Sequence, residues 1–234
     1  MHKKTVLDNG LRIITETMPY LKSATIGIWT DIGSRNESRE NNGFSHFIEH
    51  MVFKGTRTRS ALDIATALES LGGSLNAFTG RENTCYYARV LDAHLPIAAE
   101  ILSDLLSNST FHQQHLRLEK KVVLEEIKDS LDTPSDHVHD LFARATWREH
   151  PLGFSILGSL TNIRSIKRND LLSFYRKNYV TTNTVVAAAG KIKHSKLVRQ
   201  IENQLKLNAS RRKKPIRLHP PVNHSPRRVY SPRY

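Results

Sequence analysis

Two histidines and a glutamate stand within five consecutive residues, His46-Phe47-Ile48-Glu49-His50. At roughly 100° per residue, a helix over this stretch brings His46 and His50 to one face and leaves Glu49 about 60° from His46. Two neutral imidazoles on one face can bind zinc, and a carboxylate beside them can take a proton from water that the metal activates. The motif therefore predicts a hydrolytic metal centre.

A catalytic zinc site usually needs three protein ligands and one open position for water. The best candidate for the third ligand is Glu126, which follows Leu116 and Val123 in a segment with helical spacing of apolar residues. Glu119 lies seven residues before Glu126, so two helical turns bring it to the same face, where it could orient a ligand. The alternative for Glu119 is a place in a solvated Glu- and Lys-rich face.

The motif has an alternative explanation as well, because a short H-x-x-E-H also occurs by chance in helices whose histidines face solvent. The remaining histidines show no comparable grouping and are predicted to be surface residues. They include His94, His112, His115, His137, His139 and His150.

Together these residues resemble the pitrilysin and insulinase family of zinc peptidases, most closely its processing-peptidase-like branch. The inverted motif H-x-x-E-H is the inverzincin signature. The resemblance runs from residue 4 to about residue 205, and further segments resemble family segments in the family's order. These segments are Leu7-Asp8-Asn9-Gly10-Leu11-Arg12, Gly43-Phe44-Ser45-His46, Phe53-Lys54-Gly55-Thr56, Asn76-Ala77-Phe78-Thr79 and Leu124-Glu125-Glu126-Ile127.

The resemblance implies a role for each residue of the motif and of the later helix. It implies one Zn²⁺ held by His46, His50 and Glu126, with Glu49 as the general base and Glu119 as a residue that orients the site from behind the ligands. The reaction implied is zinc-dependent hydrolysis of peptide bonds within extended peptides.

The resemblance also implies how substrate and partners are arranged. An extended peptide would lie along an edge strand at Asn76 and Ala77, where backbone pairing reads shape more than sequence. Asn76 has an alternative as an asparagine whose side chain is hydrogen-bonded within the fold. The fold implied is α+β, with an antiparallel-rich sheet packed against several helices as one lobe of a two-lobed clamshell. We therefore expect a second lobe or subunit, and the alternative function is a zinc-binding but inactive half-enzyme that acts as a partner subunit or is a truncated product.

Composition limits the class of protein. The chain has 234 residues, 38% of them hydrophobic, which is enough for a sizeable core. It has no apolar run long enough to span a bilayer and no apolar signal segment after Met1, so we expect no membrane partner and a cytoplasmic location, with a mitochondrial matrix-type setting less favoured. The one cysteine, Cys85, excludes an internal disulfide and is predicted to be packed in a strand.

The formal net charge of +13 is concentrated at the C-terminal end. Nine basic residues and no acidic residue follow Glu202. Residues 208–234 are also rich in proline, which predicts a basic tail or truncated linker after a catalytic lobe at 1–207. A nucleic-acid-binding role is disfavoured, because no aromatic-interleaved platform accompanies the basic residues.

The coarse order of elements supports an α+β domain. A hairpin turning at Asp8-Asn9-Gly10 opens the chain, and the motif helix follows a third strand. Strands are predicted at 5–7, 11–15, 24–30, 74–79, 84–91 and 184–189, and further helices at 61–68, 93–107, 113–131, 136–147, 168–178 and 195–206.

Overall fold

The computed structural model describes residues 2–209. Its strands are β1 (His2–Val6), β2 (Arg12–Thr17), β3 (Ser23–Thr30), β4 (Ser74–Thr79), β5 (Thr84–Leu91) and β6 (Thr184–Gly190). Its helices are α1 (Phe44–Val52), α2 (Ala61–Glu69), α3 (Leu95–Asn108), α4 (Gln113–Asp132), α5 (Pro134–Trp147), α6 (Leu160–Ser165), α7 (Arg168–Asn178) and α8 (His194–Gln204).

The six strands form one mixed sheet in the order β1-β2-β6-β3-β5-β4. Strands β2 and β6 are parallel, and the other four neighbouring pairs are antiparallel. The predicted α+β class with an antiparallel-rich sheet is confirmed. The parallel pair has a physical cause, because more than 160 residues separate β2 from β6 and a crossover of that length can return in either direction.

Side chains of successive strand residues point to opposite faces of the sheet, and this alternation explains where the core lies. Ile26 and Ile28 of β3, Tyr86 and Ala88 of β5 and Val186 of β6 are buried on the face that helices cover. Helices α3 and α8 pack against this face, and α1 packs against β4 and against α4. The opposite face leaves Trp29 and Phe78 partly exposed. The sheet edge at β4 and helix α4 thus hold α1 from two sides.

Two expectations from the sequence need correction or addition. His150 was predicted to be a surface residue, but it is buried and its Nδ1 accepts a hydrogen bond from the backbone of Leu152. Helix α6 was not predicted, since six residues are too few to show periodicity. Cys85 is buried on β5 as expected, and burial raises the pKa of its thiol to about 12.

The predicted basic tail at 208–234 lies almost entirely outside the described residues. The predicted boundary between a lobe at 1–207 and this tail therefore stays a prediction. Among residues 2–209, no helix combines the length and apolar content needed to cross a bilayer.

Candidate metal centre

Helix α1 carries the motif, and its first turn is held from outside the helix. Glu37 accepts hydrogen bonds from the backbone N–H groups of Gly43 (2.8 Å) and Ser45 (2.6 Å) and from the side chain of Asn42 (3.0 Å). These contacts satisfy N–H groups that a helix start leaves without an internal partner. Burial raises the pKa of Glu37 in spite of the hydrogen bonds from Ser45 and Gly43, which act in the opposite direction.

Glycine is required where the next loop meets this helix start. Gly43 has φ +100° and Gly158 has φ +83°, a left-handed conformation that favours glycine. A Cβ on Gly158 would lie 2.7 Å from the Cα of Gly43. The loop before α6 is therefore pressed directly against the first residues of α1, which fixes the position of the motif.

Three ligand atoms converge between α1 and α4. One donor atom each from His46, His50 and Glu126 lies within 4.8 Å of the others. The Glu126 carboxylate is 3.8 Å from Nε2 of His46 and 3.4 Å from Nε2 of His50. The structure thus brings together the three residues that were predicted to be ligands.

These separations fit a tetrahedral zinc ion. Two donors that each lie about 2.1 Å from zinc at a tetrahedral angle are about 3.4 Å apart. The chemistry of the donors fits as well, since two imidazoles and a carboxylate are a usual catalytic zinc set. Both histidines can offer Nε2, so the residues present are suited to the metal that the motif implies.

The two histidines have different electrostatic surroundings. Burial, and next the charge of His50, lower the pKa of His46 to about 3, so its ring is neutral at neutral pH, as metal binding requires. The pKa of His50 is raised: burial lowers it, but the hydrogen bond that its Nδ1–H donates to Glu119 and the charge of Glu126 outweigh that effect. The carboxylates around His50 therefore favour a positive charge on or next to its ring.

Glu119 stands behind His50. One of its oxygens is 3.1 Å from Nδ1 of His50, and the other is 2.9 Å from the ammonium of Lys54. A proton on Nδ1 leaves the lone pair on Nε2, facing His46 and Glu126. Burial raises the pKa of Glu119, but the hydrogen bonds from His50 and Lys54 lower it further, so the net shift is downward.

Glu49 is held beside the ligands by the sheet. The hydroxyl of Thr79, on β4, donates a hydrogen bond to its carboxylate. Burial raises the pKa of Glu49, and the Thr79 hydrogen bond and the charge of His50 oppose that rise. A carboxylate whose pKa is raised is a better proton acceptor than an ordinary surface glutamate.

Strand β4 ends the sheet beside this cluster, and within residues 2–209 no strand pairs with its outer edge. The N–H of Gly80 donates to the carbonyl of Asn83 (2.7 Å) where β4 turns into β5. Because bonded and non-bonded pairs alternate along an antiparallel ladder, alternate residues direct their backbone groups to the open edge. These residues are Leu75, Ala77 and Thr79.

The predicted substrate residues lie on this edge. Asn76 is exposed, and its side-chain oxygen accepts a hydrogen bond from the outward-facing N–H of Ala77 (2.8 Å). The carboxamide therefore covers one of the edge N–H groups that an added strand would use. The contact of Asn76 and Ala77 with a substrate stays a prediction.

Sequence reasoning did not identify three residues that shape the site. Glu37 lies 9 positions before His46 and binds the backbone at the start of α1. Lys54 lies 4 positions after His50 and contacts Glu119, and Thr79 lies 30 positions after Glu49 and contacts its carboxylate. Lys54 lies in a segment that resembles the family, but the sequence alone assigns it no role. Thr79 belongs to a segment that resembles the family, yet only the packing of β4 on α1 shows its contact.

Comparison with known proteins agrees with the motif and the fold. The family model described as "Insulinase (Peptidase family M16)" matches residues 12–160, and the model described as "Peptidase M16 inactive domain" matches residues 165–233. Strand β6 and helix α8, which lie in the second match, belong to the same sheet and core as the first match.

The chain is similar to curated proteins over most of its own length. It is 47% identical over 199 residues to an uncharacterized zinc protease of Streptomyces coelicolor, covering 85% of this chain and 43% of that protein. It is 42% identical over 198 residues to the "Probable mitochondrial-processing peptidase subunit beta" of Arabidopsis thaliana, covering 85% of this chain and 37% of that protein. The chain thus spans less than half the length of these relatives.

A solved protease structure from Helicobacter pylori has the same fold, with a TM-score of 0.88 at 22% identity. The match covers 93% of this chain and 53% of that one, so the described fold corresponds to about half of that structure. The motif, the sheet topology and the match of the family model over more than half of the sequence lead to one conclusion. The chain belongs to the insulinase family, peptidase family M16.

Proposed function

We propose that this chain is the zinc-binding half of a metallopeptidase that cleaves peptide bonds within extended peptides. The observation that carries the proposal is the convergence of His46, His50 and Glu126 within 4.8 Å, with the carboxylate of Glu49 on the same helix. The proposed ligands hold one Zn²⁺. When bound, zinc supplies a Lewis acid that acidifies water and polarises a peptide carbonyl.

Glu49 is the proposed proton carrier. It takes a proton from the attacking water and passes that proton to the departing amine, so one carboxylate acts as base and then as acid. Thr79 supports this role because its hydroxyl fixes one carboxylate oxygen. Glu119 keeps the ring of His50 oriented with Nε2 toward the other ligands.

The open edge of β4 is the proposed place for substrate. An extended peptide can pair with the outward-facing backbone groups of Leu75, Ala77 and Thr79. Thr79 also contacts Glu49, so a peptide paired with this edge passes beside the proposed base. Asn76 must release the N–H of Ala77 for this pairing, and its carboxamide is then available to a substrate carbonyl.

A second candidate function is a zinc-binding subunit that is inactive without a complementary half. The observation that favours it is that the chain spans 43% and 37% of the two relatives described above. In that case a second lobe or subunit completes the substrate chamber.

The test measures zinc content and cleavage of an unstructured peptide mixture together. Glu49→Gln should keep stoichiometric zinc and lose about 10²- to 10⁴-fold in cleavage rate, the usual contribution of a positioned acid–base residue. Glu125→Gln is the matched control, because Glu125 is an exposed carboxylate paired with Lys128 on α4. Zinc without cleavage by the unmodified chain would favour the inactive subunit, and absence of zinc would refute both functions.

A further inference from the structure

Lys54 is the second residue after α1 and lies four residues beyond His50. Its ammonium is 2.9 Å from one oxygen of Glu119, and the other oxygen of Glu119 is 3.1 Å from Nδ1 of His50. We propose that Lys54 is a positioning residue of the zinc site, which sets the orientation of the Glu119 carboxylate and, through it, the ring of His50. This inference rests on the proposed zinc site.

Because Glu119 is buried, its carboxylate needs a positively charged partner, and Lys54 is that partner. The side chain of Glu119 is only 7% exposed, so its charge is largely removed from water. A buried carboxylate without compensating partners is strongly unfavourable. Lys54, whose side chain is 33% exposed, supplies the compensating charge and leaves the second oxygen to His50.

The carboxylate of Glu119 can rotate about its terminal bond, and the contact with Lys54 holds it in one orientation. With one oxygen held by the ammonium, the other points at Nδ1 of His50. That contact keeps the proton on Nδ1 and the lone pair on Nε2, the nitrogen that lies 3.4 Å from Glu126. Without Lys54, Glu119 can rotate away from His50 or draw in water.

The backbone holds Lys54 in place on both sides. Its N–H donates to the carbonyl of Met51 (3.1 Å), and the carbonyl of Gly55 accepts from Thr110 (3.1 Å). Beyond it, the hydroxyl of Thr56 donates to Asp104 (2.8 Å). Lys54 also follows the C-terminal end of α1, a place in the chain where a basic residue is favoured by the helix dipole.

Lys54 differs from an ordinary surface lysine of this chain. Lys128 and Glu125 form an ion pair on α4 in which both side chains are at least half exposed. Exposed ion pairs of this kind contribute little to the stability of a fold. Lys128→Met therefore provides a matched control for Lys54→Met, since it removes the same group from an ion pair outside the site.

The test is a set of zinc dissociation constants for the full chain, measured by competition with a chromophoric chelator. Lys54→Met should weaken zinc binding about 10-fold, as loss of a residue behind a ligand commonly does. Lys54→Arg, which keeps the charge and the donor, should restore most of the affinity, and Lys128→Met should leave it unchanged. In a Glu119→Gln background, Lys54→Met should have no further effect, because Lys54 acts through Glu119.

The outcomes separate this inference from the proposed function. Absence of zinc from the unmodified chain would refute the proposed site, and the role of Lys54 with it. Zinc bound by the unmodified chain and equally well by Lys54→Met would overturn the role of Lys54 alone, as would a full additional loss in the Glu119→Gln background. Thermal unfolding in chelator checks the fold of each variant, and Lys54→Gln, which keeps one donor, replaces Lys54→Met if that variant does not fold.

Discussion

Two polar clusters in this chain contain similar side chains but differ in how their donors and acceptors are matched. In the first, the Asp104 cluster, Asp104 accepts hydrogen bonds from Thr56 (2.8 Å), Arg59 (2.8 Å) and Asn108 (2.8 Å), and Arg59 also binds Glu100 (2.7 Å). Each of these contacts matches a donor with an acceptor. The cluster locks the segment after α1 onto α3.

The second, the His46 cluster, consists of His46, Glu49, His50, Glu119 and Glu126. Its acceptors face one another: the carboxylate of Glu126 lies 3.8 Å and 3.4 Å from the Nε2 atoms of the two histidines. Among the described residues, the ammonium placed against its carboxylates is that of Lys54. A balanced set of donors and acceptors stabilises a fold, whereas acceptors that converge on one point favour a bound cation.

The largest effect expected from this contrast is loss of the metal without loss of the fold. His50→Ala removes one of the three proposed ligands, so we expect zinc affinity to fall by at least about 100-fold, the upper end of the losses seen for residues behind a ligand. The metal-free stability should fall by only about 1 kcal/mol, because Glu119 loses one hydrogen bond but keeps its ion pair with Lys54. Zinc titration and thermal unfolding in chelator measure the two quantities.

The reverse result is expected for the Asp104 cluster. Asp104→Ala leaves Arg59 and Thr56 without their shared partner, which should lower the free energy of unfolding by about 3 kcal/mol. Zinc stoichiometry should stay at one per chain. Urea unfolding in chelator gives the stability, and a loss of zinc comparable to that of His50→Ala would show that the two clusters are not separate in function.

The smallest expected effect concerns pH. Burial raises the pKa of Asp104, but hydrogen bonds from Asn108, Thr56 and Arg59 lower it by more, so the net pKa lies below the ordinary value. The charged form is therefore favoured in the fold, and its stabilisation is present above the unfolded pKa of about 3.9 and is lost as pH falls through the lower folded pKa.

Asp104→Asn removes this titration. In chelator at pH 7, the variant should be less stable than the unmodified chain by about 1 to 2 kcal/mol. The difference should persist at pH 5 and shrink toward pH 3. Urea unfolding at the three pH values measures it, and a constant difference would contradict the role of the Asp104 charge.

Much of this organisation could be predicted from the sequence, because it depends on local spacing. The i, i+4 separation of His46 and His50 and the i, i+7 separation of Glu119 and Glu126 place each pair on one helix face. Strand alternation in β3 and β5 and the turn at Asp8-Asn9-Gly10 predicted the first hairpin and the central strands.

The rest depends on packing that no local pattern encodes. The contact of Thr79 with Glu49 depends on how β4 packs against α1. The contact of Lys54 with Glu119 depends on where α4 crosses α1. The burial of His150 comes from the turn after α5, where its ring accepts a backbone hydrogen bond. In the Asp104 cluster, Thr56 and Arg59 lie 48 and 45 positions from Asp104, and no shared motif links them to it.

The most direct test of the central claim is anomalous diffraction at the zinc absorption edge from crystals of the zinc-loaded chain. We expect one strong peak within about 2.1 Å of Nε2 of His46, Nε2 of His50 and the carboxylate of Glu126, as zinc–ligand distances require. A stoichiometric peak bound by other residues, or no peak at this position in a zinc-containing sample, would contradict the account.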